Sequence, residues 1–329
     1  MTARYQAMHN WLNSLGYHHY SLTPASEDAS FRSYHRLRAA GQSWVVMDAP
    51  PELEPCDQFV MIAQKLRNIG LSAPQVIESD FQQGFLLLSD FGDTDYLSIL
   101  NTETVSSLYA DALAALLQMQ LQLDAEDLPC YDQMSLNGEM DLFHDWFLHE
   151  LLNIELNQAQ LNHWLLIKQA LVDNALEQPQ VFVHRDYHSR NLMKIDPGNP
   201  GILDFQDAVK GPFTYDLVSL LRDCYISWPT SCVERFLLGY YERVVVNGLT
   251  DVTYKRFSRW FNLMGVQRHL KAIGIFARLK IRDAKPQFLQ DIPRTLDYII
   301  QVSTEAVDMS ELHALIDELN LKYRLANLS

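Results

Sequence analysis

Three oxygen-bearing side chains stand at a spacing that suits phosphoryl transfer. Residues 184–193 read HRDYHSRNLM and residues 202–208 read ILDFQDA. Asp186 is followed by Asn191 and then by Asp204, in the order Asp, Asn, Asp. One carboxylate can face a hydroxyl nucleophile and take its proton. An amide oxygen and a second carboxylate can hold a hard divalent cation, which prefers such oxygens. A polar turn between strands can hold an Asp and an Asn by chance. The full triple between two apolar segments, VFV before it and GIL within it, is far more specific. His184 suits a role in orienting this loop by hydrogen bonding. The chain has no HExxH, no GxSxG elbow and no CxxC pair, so other hydrolytic and metal chemistries lack a carrier.

The elements that position these residues follow from the periodicity. Tyr5, Met8, Leu12 and Leu15 predict a first helix closed by Gly16. FRSYHRLR and SWVVMD predict two strands joined by a turn at Ala40-Gly41-Gln42. Arg32, Tyr34, Arg36 and Arg38 then alternate along one face of the first strand. DQFVMIAQKLRNIG predicts a helix with Phe59, Ile62, Leu66 and Ile69 inward. QVIESD and FLLLSDFGD predict a second strand pair, its Phe85–Leu88 run apolar on both faces. Strands fade after Asp93. Helices dominate beyond it, apart from short strand-like pieces around the Asp186–Asp204 motif. The fold class is α+β. A small antiparallel-sheet lobe is expected over residues 1–93, and the resemblance described below makes it a nucleotide-binding lobe that ends in a hinge. A larger, mainly helical lobe is expected over residues 94–329, and the same resemblance gives it the catalytic loop and an acceptor pocket.

With 329 residues, 48% apolar and 20% charged, the chain is long enough for two such lobes and a sizeable core. Its net charge of −15 disfavours nucleic acid and anionic membrane as partners. It does not disfavour a nucleotide, whose phosphates a bound cation can neutralise locally. Cys56, Cys130, Cys224 and Cys232 are scattered, as for reduced thiols in a cytoplasmic protein. The N-terminal stretch has no signal-peptide core. A cytoplasmic monomer acting on a small molecule is the expectation.

The motifs resemble those of the aminoglycoside phosphotransferase and choline kinase superfamily, whose fold is protein-kinase-like. HRDYHSRNLM and ILDFQDA match its catalytic loop and metal-binding segment. GPFTYDLVSLLRD resembles its G-x-P-x-x-x-D-L segment. That resemblance implies ATP and Mg²⁺ as cofactors, Asp186 as the catalytic base and Asn191 and Asp204 as the metal ligands. It makes Asp216 a brace for the catalytic loop, beside His184. FLLLSDFGD resembles the hinge, so that the backbones of Ser89, Asp90 and Phe91 would meet adenine. DASFRSYHR resembles the phosphate-covering loop, which implies roles for Ser30, Phe31, Arg32 and Arg36. VVMDAPP and QRHLKAIGIFARL are similar to one branch of the superfamily, the bacterial cell-wall-recycling kinases. Those phosphorylate N-acetylmuramic acid and N-acetylglucosamine at the anomeric hydroxyl.

The chain departs from the superfamily where a strand lysine holds the nucleotide phosphates. Met47 and Asp48 occupy that place, and the first lysine is Lys65. Arg32 and Arg36 are the candidate substitutes, because a guanidinium can clamp phosphate oxygens in two places. By the same analogy the acceptor pocket draws on Arg222, Tyr225, Arg268 and Lys271, with Trp228 as a second aromatic candidate; Asp207 serves metal or substrate, or caps the next turn. An arginine or lysine would suit an acceptor carboxylate and an aromatic ring the flat face of a pyranose. Two other readings remain open. One keeps the fold and changes the acceptor to an aminoglycoside, a choline-like alcohol or homoserine. The other is a nucleotide-binding regulator with weak catalysis.

Overall fold

The computed structural model describes residues 3–26 and 31–328. Ser30 lies outside the described residues. In chain order the elements open with α1 (Ala3–Ser14), β1 (Ser21–Ser26), β2 (Ser33–Ala39), β3 (Gln42–Asp48), α2 (Asp57–Asn68), β4 (Val76–Asp80) and β5 (Phe85–Ser89). The short α3 (Tyr96–Ile99), α4 (Val105–Gln122) and α5 (Gln133–Leu142) follow, then a π-helical segment at Phe143–Leu151 and α6 (Gln158–Leu176). Four short strands come next: β6 (Gln180–Val183), β7 (Leu192–Met193), β8 (Gly201–Ile202) and β9 (Val209–Pro212). The chain closes with α7 (Tyr215–Leu221), α8 (Thr230–Val246), α9 (Tyr254–Ile281), α10 (Ile292–Glu305), α11 (Ser310–Glu318) and α12 (Leu321–Ala326).

The chain packs into two compact units, Met1–Ala115 with Arg190–Asp207, and Leu116–Ser189 with Ala208–Ser329. Packing therefore groups residues 94–115 and the β7–β8 hairpin with the first unit, so these units do not follow a division at residue 93. The reason is backbone pairing. Ile202 donates to the Ser72 carbonyl at 2.7 Å and Lys194 to the Thr94 carbonyl at 2.8 Å.

The first unit holds an antiparallel sheet in the order β1-β2-β3-β5-β4. Met8, Trp11 and Leu12 of α1 pack on Leu37, Val46, Phe85 and Leu87. The alternate residues Met47, Leu86 and Leu88 are also buried, as the run of apolar residues predicts for a central strand. Strand β1 has no clear signal in the sequence, because SLTPAS is polar and contains Pro24. It sits at the sheet edge, where a proline removes no essential ladder bond.

The second unit is built around α9, a helix of 28 residues buried on nearly every side. It packs against α5, α6, α7, α8, α10 and the π-helical segment. Gly274 is required at one crossing: a Cβ there would lie 2.3 Å from the Leu142 carbonyl carbon. Strands β6 and β9 pair antiparallel beside these helices.

Candidate active site

The β7–β8 hairpin of the first unit brings Asn191 and Asp204 together. Leu192 pairs with Ile202 and Met193 with Gly201, so the residues just beyond the ladder face each other. Leu203 donates to the Asn191 carbonyl at 2.9 Å. The Asn191 Nδ2 donates to Asp204 Oδ2 at 3.1 Å, and Gln206 Nε2 donates to Asp204 Oδ1 at 2.7 Å. Asp204 holds a left-handed backbone at φ 62°, which costs a non-glycine residue roughly 1–3 kcal/mol. The surrounding bonds stabilise it. One neutral and one anionic oxygen donor side by side fit a hard cation such as Mg²⁺, which usually keeps waters and substrate phosphates as its other ligands. Among the described residues there is no cluster of three or more His, Cys, Asp or Glu that could hold a metal.

Arg32 and Arg36 have different surroundings. Neither forms the solvated face that alternation alone allows, for both are buried. Arg36 Nε and Nη2 donate to the Asp90 carboxylate at 2.7 and 3.0 Å, and Nη1 pairs with Asp93. Nη2 also donates to the Gly92 carbonyl at 2.8 Å. Arg36 thus ties the Asp90–Asp93 segment to β2. Arg32 instead makes an ion pair with Glu54, 2.6 Å from Nη2 to Oε2. Phe31 is exposed. The place of the strand lysine is taken by Asp48, whose Oδ1 accepts from Arg4 Nε at 2.9 Å. At the end of β5, the Ser89 amide donates to the Gln75 carbonyl at 2.9 Å and is committed to that contact. Phe91 lies against Gly201, where a Cβ would come within 2.7 Å of the ring.

The second unit holds Asp186. Its loop is braced by Asp216 in the first turn of α7. That carboxylate accepts from the His184 amide at 2.7 Å and the Arg185 amide at 3.0 Å. These bonds fix Arg185 in the left-handed region at φ 77°. The Asp186 amide in turn donates to His184 Nδ1 at 3.3 Å. Burial acts to raise the Asp186 carboxyl, but Lys271, His188, Arg268 and Arg185 outweigh it and hold it below its ordinary range. Asp186 is therefore an ionised carboxylate in a basic surrounding. Burial pushes the Asp216 carboxyl up to about 7, with the nearby Asp186 charge adding to it and the two amides opposing it.

Of the acceptor candidates, Arg268 and Tyr225 join this group. Arg268 and Lys271 lie one turn apart on α9, on the same side, and both act on Asp186. The Tyr225 ring meets His188 edge-on at 5.2 Å. Arg222 turns elsewhere: Nη2 donates to Asn262 Oδ1 at 2.8 Å and the guanidinium lies over Phe261. Its electrostatic neighbours are Tyr298 and Glu305, and burial pushes it down to about 10. Asp207 is exposed.

Sequence reasoning missed two carboxylates and one amide. Glu139 on α5 meets Arg185 and Lys271. Asp223 accepts from the Ser189 amide at 2.9 Å and hydroxyl at 2.6 Å, and so anchors the far end of the loop. Gln206 holds Asp204. Glu139 stands in no motif. Asp223 closes the GPFTYDLVSLLRD segment, and its place there is the one available signal.

Residues 21–249 match the phosphotransferase enzyme family. The chain is 47% identical over 301 residues to an N-acetylmuramate/N-acetylglucosamine kinase of Pseudomonas putida, covering 91% of this chain and 88% of that protein. It is 43% identical to the protein of that name in Pseudomonas aeruginosa, covering 96% and 97% of the two chains. Among solved structures, a choline kinase, LicA of Streptococcus pneumoniae, superposes with a TM-score of 0.64 at 10% identity, over 91% of this chain and 100% of that one. The ADP-bound aminoglycoside phosphotransferase APH(2'')-Ib does so with a TM-score of 0.60 at 16% identity, over 89% and 97%. The fold is thus that of these kinases, and the chain belongs to the phosphotransferase enzyme family, in the branch that holds the N-acetylmuramate/N-acetylglucosamine kinases.

Proposed function

We propose that this protein is an ATP-dependent sugar kinase that phosphorylates the anomeric hydroxyl of N-acetylmuramic acid and N-acetylglucosamine in peptidoglycan recycling. The observation that carries the acceptor is the charge around Asp186. Lys271, Arg268, Arg185 and His188 all act on it. Such a surrounding attracts a carboxylate-bearing sugar and admits a neutral one. It disfavours an aminoglycoside or a choline-like cation, because like charges in a poorly solvated site repel strongly. The relatives' activity agrees with that choice.

Asp186 orients the sugar hydroxyl and takes its proton late in the transfer. Asn191 and Asp204 are the ligands for Mg²⁺, which when bound neutralises phosphate charge. Arg32, held by Glu54, grips the phosphates in place of a strand lysine. Arg36 meets two carboxylates and the Gly92 carbonyl, which leaves less of its charge for phosphate, so this role is assigned to Arg32. Phe31 belongs to the loop over the phosphates, and the backbones of Asp90 and Phe91 meet adenine. Tyr225 offers its ring to the pyranose. The transition state is loose, so positioning and charge neutralisation supply most of the rate.

The test is a panel of acceptors with ATP: N-acetylmuramate, N-acetylglucosamine, kanamycin, choline and homoserine. The two amino sugars should dominate in kcat/KM, and Asp186→Asn should abolish turnover while nucleotide binding survives. Transfer to kanamycin or choline alone would overturn the acceptor. Undiminished turnover in the variant would overturn the base.

A further inference from the structure

We propose that Glu139 is a positioning residue for phosphoryl transfer, one carboxylate that both locks Arg185 of the catalytic loop and aims Lys271 at Asp186. Glu139 Oε1 lies 2.5 Å from Arg185 Nη2 and 2.9 Å from Lys271 Nζ. Its Oε2 accepts from the Tyr131 hydroxyl and, at 3.3 Å, from Gln267 Nε2. Four donors thus meet the roughly four lone-pair directions of one carboxylate. Lys271 Nζ also donates to the Tyr215 hydroxyl at 3.1 Å. The Glu139 and Lys271 side chains are 12% and 9% exposed, so these contacts lie out of bulk water.

The charge count gives the cluster its purpose. Two cations share one carboxylate, which leaves an excess positive charge among Glu139, Arg185 and Lys271. The group that faces that excess is Asp186, on which Lys271 is the foremost charge. A merely structural cluster would be balanced within itself or replaced by apolar side chains, which often stabilise as well or better. The groups facing Lys271 are Glu139 from α5, Tyr215 from α7, and Arg185 and Asp186 from the catalytic loop. Burial alone would lower the Lys271 ammonium, and Glu139 is the first charge that holds it up. Without Glu139, burial lowers the Lys271 ammonium against the remaining support of Tyr215 and Asp186, so the charge that faces Asp186 weakens as pH rises.

The inference rests on Asp186 as the group that faces the hydroxyl, whichever acceptor that hydroxyl belongs to. It is therefore tested on whatever acceptor the parent enzyme phosphorylates, and a wrong sugar would sink only the preceding proposal. The variants are Glu139→Gln, Glu139→Asp and the neutral pair Glu139→Gln with Lys271→Met, each followed from pH 6 to about 9.5, the span over which a buried lysine can titrate. In Glu139→Gln, kcat should fall about tenfold or more as pH rises, one decade for each unit past the lysine's new midpoint. The KM for ATP should stay near the parent's. Glu139→Asp should restore most of the rate, and the neutral pair should melt near the parent temperature with a low, pH-independent kcat. Parent-like kcat in the neutral pair would overturn the proposal. So would a Glu139→Gln loss that is equal at every pH and unrepaired by Glu139→Asp.

Discussion

Replacing Arg268 with methionine should change which sugar the enzyme prefers. Arg268 is 5% exposed and sits one helical turn before Lys271. Its only hydrogen bond among the described residues is a weak one, Nη1 to the Cys224 sulfur at 3.6 Å. It forms no ion pair among the described residues, although Asp186 and Asp223 act on it from farther away. A buried guanidinium without a carboxylate partner is costly and fits one supplied by the acceptor. N-acetylmuramate carries that carboxylate and N-acetylglucosamine does not. A hydrogen bond to a charged group is worth about 1.5–3 kcal/mol, which at 1.4 kcal/mol per decade is roughly a 10- to 150-fold factor. The loss of positive charge near Asp186 affects both sugars alike, so the ratio of the two kcat/KM values isolates the carboxylate contact. The assay is initial-rate kinetics on both sugars at fixed saturating ATP. Arg268→Met should cut the preference for N-acetylmuramate by about tenfold or more. Equal losses for the two sugars would refute the reasoning.

Three further outcomes follow from the geometry. Arg32→Ala should raise the KM for ATP about 10- to 100-fold, since a clamp on phosphate oxygens is charge-assisted; near-normal ATP kinetics would remove Arg32 from the site. The Asp216 carboxyl is pushed up to about 7 in the fold, above an unfolded value of about 3.9. Its contribution to stability is therefore fully present below about pH 4 and lost as pH rises to about 7. Asp216→Asn cannot titrate, so the melting temperature of the parent minus that of the variant should decline across that window; a constant difference would contradict the burial argument. Gly274→Ala should lower the midpoint of thermal unfolding, because the new Cβ meets the Leu142 backbone rather than a movable side chain. Overpacking of this kind costs about 1–3 kcal/mol, and an unchanged midpoint would show that α9 shifts freely.

Much of this arrangement is legible in the chain, for physical reasons that differ by residue. Asn191 and Asp204 can be found because a short hairpin imposes a fixed spacing on them, and Asp186 because it stands in the HRDYHSRN stretch just before. Asp216 can be found because it opens a helix directly after a recognisable segment. The alternation places Arg36 within β2, but Arg32 lies just before that strand begins. The pattern says nothing of Glu54, or of Asp90 and Asp93, which decide what each arginine can do. Those partners lie far along the chain, and only packing brings them in. Glu139 is the extreme case. In NGEMDL it looks like a solvated helix residue, and it acquires a role only where α5 meets α9 and the catalytic loop. Strand β1 escaped for the opposite reason: its polar residues give no alternation, because the sheet edge asks for none.

The most direct measurement is the position of the phosphate on the product. N-acetylmuramate and ATP are incubated with the enzyme, and the purified product is analysed by phosphorus–proton correlation NMR. Coupling of phosphorus to the anomeric proton is the predicted result. Phosphate on any other hydroxyl of the sugar, or transfer confined to a cationic acceptor, would contradict the account.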